Sequence, residues 1–201
     1  STTSGTLYFN GDSDNDLGSE SLNTVGFTDG QIISVKTLLT MEATTGSIIP
    51  AGELTLVAGS GVVISDNMTG GATAKALVID ADFESEGDGT ISVANGKTVT
   101  SNKSDVTLTA WDLDLDGSLT SGTKTISIHG SKVAQTVGMG ATAKDMHVVD
   151  EELERMTSTG GMRVGGSAGG SVVVDGITAS GSNAVSPVVS LVAAGDDAQI
   201  T

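Results

Sequence analysis

No cysteine occurs in the chain, which removes disulfide frameworks and thiolate metal sites from consideration. Aromatic residues are almost as scarce: one Trp, one Tyr and three Phe in 201 residues. A core that relies on buried rings is therefore excluded, and small aliphatic side chains must fill the interior. Cations are few, 9 Lys and Arg against 25 Asp and Glu, and the net charge of -16 repels nucleic acid. No apolar run approaches the roughly 20 residues of a membrane-spanning helix, so membrane insertion is not expected. Proline is limited to two residues while glycine reaches 28, a composition of many turns without the signature of a low-complexity chain.

What is present is a long series of short alternating segments rich in Val, Ile, Leu and Thr, each closed by Gly, Asn, Asp or Ser. Aliphatics stand two apart, as Leu77 with Ile79, Ile91 with Val93, Val106 with Leu108, and Ile126 with Ile128, so each strand has one apolar face. The fold class is all-β. Strands this short, with few two-residue hairpin signals and no bulky rings, predict a parallel β-helix or β-solenoid, in which aliphatics of successive coils stack. At roughly 20 residues per coil the chain would make about ten coils and a rod about 50 Å long. One segment departs from this pattern. "DEELERM", Asp150–Met156, carries a capping residue, acids in its first turn, and Leu153 and Met156 three apart, which predicts one helical turn at a corner.

Several stretches invite a chemical reading. "WDLDLDGSLTSG" places Asp112, Asp114, Asp116 and Gly117 as an EF-hand loop would, but its twelfth position is Thr123 where a bidentate Glu is required. Trp111, Leu113 and Leu115 alternate with the acids, so a strand with an acidic outer face is expected. "DSDNDLGSE" lacks alternation, and Asp12, Asp14, Asp16 and Glu20 are its candidate calcium donors. Calcium is the one cofactor for which the sequence offers a site. "GGSAG", Gly165–Gly169, matches a nucleophile elbow around Ser167, yet a strand follows it where a helix is needed. His129 and His147 both lie in alternating segments and give a triad little support. "GMGATA", Gly138–Ala143, imitates a dinucleotide fingerprint with no helix after it. Glu151, Glu152 and Glu154 read as solvated helix charges. Asn67 in "NMT" and Asn102 in "NKS" are candidate N-glycan acceptors, the attachment that a secretory route would bring.

The stretch "DMHVVDEELERMTSTGGMRVGGSAGGSVVVDGI", Asp145–Ile177, resembles a repeat module of very large extracellular β-solenoid proteins, similar to filamentous haemagglutinin, from bacteria and stramenopile algae. Asp150, Glu152, Leu153, Arg155, Met156, Thr157, Gly160, Met162, Val164 and Gly165 fill the pattern, and both chain ends are similar to the head and tail of such a repeat. The resemblance implies one elongated module over 1–201 within a longer repetitive chain, located outside the cell or on its surface. It further implies a filament shaft, such as that of a flagellar hair (mastigoneme), and a partner that is another copy or an adjacent repeat. A start at Ser1 is expected of a processed product or a segment of a longer chain.

The resulting expectation is a structural, non-enzymatic subunit that stacks end to end. Its competitors are an adhesin-like rod whose acidic loops bind calcium and a carbohydrate-active β-helix enzyme.

Overall fold

The computed structural model describes residues 5–11, 23–43, 46–183 and 188–201. The chain winds through three-strand coils. The first carries β1 (Leu7–Asn10), β2 (Val25–Phe27) and β3 (Gln31–Val35); the second β4 (Leu38–Glu42), β5 (Ile48–Pro50) and β6 (Leu54–Ala58). The third carries β7 (Gly61–Ile64), β8 (Met68–Thr69) and β9 (Leu77–Asp80); the fourth β10 (Thr90–Val93), β11 (Thr98–Thr100) and β12 (Val106–Ala110). The fifth holds β13 (Asp112–Leu115), β14 (Ser118–Gly122) and β15 (Ile126–Gly130). The sixth is enlarged: β16 (Val137–Gly140), β17 (Met146–Val148), α1 (Asp150–Glu154), β18 (Met156–Ser158) and β19 (Met162–Gly166). The seventh has β20 (Val172–Asp175), α2 (Ala179–Asn183) and β21 (Val189–Ala193).

Every pairing between these strands is parallel, and from β1 to β15 strands three apart in the chain neighbour one another, which is the topology of a three-sided β-solenoid. The first, second and third strands of the first five coils build faces A, B and C; β18 continues face B, and β19 and β21 continue face C. Ile33, Leu56, Ile79, Leu108, Ile128, Val164 and Leu191 stand in register on the seven strands of face C, forming one inward aliphatic column. Leu39, Val62, Ile91 and Leu113 form a matching column on face A, and Ile48, Met68, Val99, Leu119 and Met156 one on face B. All of these residues but Ile33 and Leu191 are buried in one continuous core, and those two, in the end coils, are partly buried against it. Each buried aliphatic contributes about 1.5–3 kcal/mol against the ordering of a Gly-rich backbone.

The aliphatic strand pairs expected to face inward do so: Leu77, Ile79, Ile91, Val93, Val106, Leu108, Ile126 and Ile128 are all buried. The coil length was underestimated. Members of the face C column are separated by 23, 23, 29, 20, 36 and 27 positions, giving seven coils where about ten were expected. A coil needs three strands and three corners, and corners such as 81–89 lengthen it without adding a rung. Six steps of about 4.8 Å put Ile33 and Leu191 roughly 29 Å apart.

"WDLDLDG" is a strand, as its alternation indicates, but Trp111 is not part of it. Ala110 closes β12 facing inward, Leu113 and Leu115 face inward on β13, and the phase slips by one residue at Trp111, which forms the corner. Gly117 serves packing: a Cβ there would sit 2.5 Å from the carbonyl oxygens of both Ala94 and Lys97 in the coil beneath.

Candidate functional site

The regular winding changes in the sixth coil, at β16 and β17. β17 follows β16 in the chain and pairs with it in parallel, Val137 opposite Met146 and Met139 opposite Val148. Residues 141–145 return the chain in a tight loop over β16. A Cβ at residue 138 would meet the Thr142 carbonyl oxygen at 1.9 Å, so Gly138 is needed for this close approach. "GMGATA" is thus strand and loop, followed by β17, and lacks the helix N-terminus that a pyrophosphate needs.

β17 lies between β16 and β13, giving face A an extra strand, but no ladder joins β17 to β13. Side chains replace it. Asp112 Oδ1 accepts the His147 N–H at 2.9 Å, and Glu152 Oε1 accepts the Leu115 N–H at 3.0 Å. Glu152 Oε2 accepts the Val149 N–H at 3.0 Å, closing the start of α1, and Arg155 Nη1 donates to the Leu115 carbonyl at 2.8 Å. Each backbone group met in this way would otherwise lack a protein partner at the break in the ladder.

Two corrections follow. Glu152 is not a solvated helix charge, since only 6% of it is exposed, whereas Glu151 and Glu154 face solvent as expected. Burial pushes its carboxyl above the usual glutamate value, the Leu115 and Val149 N–H groups oppose that rise, and Asp112 and Asp114 add to it. The helix forms where predicted, but Val149 occupies its N-cap position. Asp150 instead accepts the Thr178 N–H at 3.0 Å and hydroxyl at 2.7 Å, tying the sixth coil to the seventh.

A second polar knot stacks the corners between faces C and A. Asp82, 1% exposed, accepts the Gly87 N–H at 3.0 Å and the Ser131 hydroxyl, linking two coils. Buried Gln135 donates to the carbonyls of Ala110 and Trp111 and accepts the Lys132 N–H. The Lys132 ammonium sits 5.6 Å from the Trp111 ring centroid. Sequence reading missed both Asp82 and Gln135, because nothing local distinguishes a corner acid that is buried from one that is solvated.

The remaining candidates are scattered. Asp12, Asp14, Asp16 and Glu20 lie outside the described residues, and among the described residues no three His, Cys, Asp or Glu side chains cluster as metal ligands. Asn67 is exposed beside β8, its Oδ1 accepting the Thr98 N–H, and Asn102 is half-buried in a turn at positive φ. His129 and Ser167 border one depression, but His129 Nδ1 contacts the Gly165 carbonyl at 2.9 Å, where a triad would have a carboxylate. His147 lies on face A, with Nε2 at 2.7 Å from the Gly140 carbonyl.

Both ends of the core are incompletely covered among the described residues. At one end Leu7, Phe9 and Ile33 are only partly buried, and β1, β2 and β3 each pair on one side alone. At the other, Leu153, Met162, Ile177 and Leu191 border an apolar cavity of about 240 Å³, with Val174 and Val189 exposed at its rim. β21 offers an open edge there, and 199–201 extend face A by bonding Val172 and Val174. No protein-family model, curated protein or solved structure matches the chain.

Proposed function

We propose that the protein is a structural module, a stiff length of β-solenoid that continues end to end into another copy or an adjacent repeat and has no catalytic role. One observation carries this reading: the face C column runs from the first coil to the seventh and stops, among the described residues, in partly covered apolar layers flanked by open strand edges at both ends. Such an edge is a template for further pairing unless it is capped. Stacking β21 of one unit on β3 of the next would extend the column from Leu191 to the next Ile33. The acids on the exterior, Asp114 and Asp116 among them, keep such a shaft apart from its neighbours and in solution. This reading places the shaft outside the cell, in a filament or surface fibre of the filamentous-haemagglutinin type.

Sedimentation velocity over a range of concentrations tests the proposal. The weight-average sedimentation coefficient should rise with concentration, and Ile33→Asp or Val189→Asp, each charging one end layer, should hold it at the single-unit value. A wild-type protein that sediments as one unit at every concentration would overturn the reading.

A further inference from the structure

Scarce cations gather on the outward side of face C. Arg163 on β19 stands opposite Ser127 and Ser190, and His129 lies on the adjacent β15. His129, Lys132, Arg163 and Ser167 border a depression of about 410 Å³, and Arg163 separates it from a second of about 420 Å³ that Ser127 and Ser190 help to form. Neither depression has an Asp or Glu in its lining, although the chain carries 25 of them.

The donors here are spent on the protein only in part. Lys75 and Lys97 are paired with Asp29 and Asp66, and Arg155 is committed to the Leu115 carbonyl. The Arg163 guanidinium, by contrast, has no hydrogen bond or ion pair among the described residues. Lys132 Nζ gives one hydrogen bond, to the Glu86 carbonyl at 3.2 Å, and stands 5.6 Å from the Trp111 ring centroid, with two N–H groups left without a hydrogen-bond acceptor among the described residues. His129 donates through Nδ1 to the Gly165 carbonyl, so Nε2 of the neutral ring is an acceptor and the donors bordering the depression are Arg163, Lys132 and Ser167. Two carboxylates stand near the depression: Asp80, in the same outward column as His129 but two strands away, and buried Asp82, which is committed to the Ser131 hydroxyl at the depression's edge and to the Gly87 N–H.

We propose that this depression is an anion site that takes a tetrahedral oxyanion, phosphate or sulfate, either free or esterified to a sugar. A planar guanidinium fork meets two oxygens of such a group, and an ammonium and a hydroxyl approaching from other positions suit its further oxygens. The second depression leaves room for the body of an ester across the Arg163 side chain. The site stands independently of the filament reading, since the depression that holds the anion lies on the lateral face between β15, β19 and their following corners, and only the second depression reaches β21.

Calorimetric titration at fixed ionic strength with inorganic phosphate, inorganic sulfate, glucose 6-phosphate and glucose 6-sulfate tests the site. Saturable binding of at least one probe is expected, and Arg163→Ala should weaken it about tenfold or more. The melting midpoint should stay unchanged, because Arg163 is exposed and holds no partner among the described residues. Arg163→Lys, which keeps the charge and loses the fork, should fall between, and Lys36→Ala, at the exposed corner between β3 and β4, should bind as wild type. Binding of the free ions identifies an inorganic ligand, and binding of the sugar esters alone identifies an ester; either result supports the site. Absence of saturable binding for all four probes, or binding that survives Arg163→Ala, overturns it.

Discussion

Glu152 Oε1 accepts the backbone N–H of Leu115 at 3.0 Å across 37 residues of chain, at the one place where the face A ladder is broken. The other carboxylate oxygen accepts the Val149 N–H, so a single acidic side chain satisfies two donors that a regular coil would have paired with carbonyls. Substituting Gln leaves one acceptor for two donors and turns an amide N–H toward the other. Glu152→Gln should therefore cost about 1–3 kcal/mol in urea unfolding. Glu151→Gln, one position away and exposed, should stay within about 0.5 kcal/mol of wild type.

The face C column predicts a gradient of stability along the rod. Leu108 is fully enclosed by rungs on both sides, and Leu108→Ala should cost about 2–5 kcal/mol. Leu191 lies in the partly covered end layer and borders the apolar cavity, so Leu191→Ala should cost less than half as much. Equilibrium denaturation of the two variants checks the ratio.

Asp105 makes stability depend on pH in a defined direction. Its carboxylate accepts the Thr125 N–H at 3.0 Å and the Thr125 hydroxyl at 2.8 Å, and these bonds hold its pKa below the usual value of 3.8. A lowered folded-state pKa contributes stability that is present above the unfolded value and lost as pH falls through the folded one. The difference in melting midpoint between wild type and Asp105→Asn should therefore shrink on acidification from about pH 5 to about pH 3. A difference that grows on acidification would contradict the assignment.

Gly117→Ala should destabilise the fold by about 1–3 kcal/mol, since its methyl would press on the carbonyls of Ala94 and Lys97. The loss should be the same with calcium and with chelator, because Gly117 serves packing between coils. Thermal melts under both conditions check this.

Much of the fold was legible because alternation is local. Leu77 and Ile79 reveal an inward face whatever lies above them, and the slip from Ala110 to Leu113 marks the corner at Trp111 for a reader who follows phase. The order of β16 and β17 was not legible, because both alternate and their exchange is decided by contacts with β13 and β20 far along the chain. Glu152 was misread for a related reason: a helical turn rich in acids looks solvated, and the donor that buries one of them is Leu115. Arg163 and His129 stand apart in sequence and meet only because coils of unequal length stack in register, so the cationic depression left no local signal.

The central claim is that the aliphatic columns continue from one unit into the next. Electron microscopy of the purified protein, imaged at rising concentration together with fibre diffraction of the concentrated sample, tests it most directly. The account predicts rods that lengthen in whole units and an axial reflection near 4.8 Å. Particles of a single unit's length at every concentration, with no axial reflection, would contradict it.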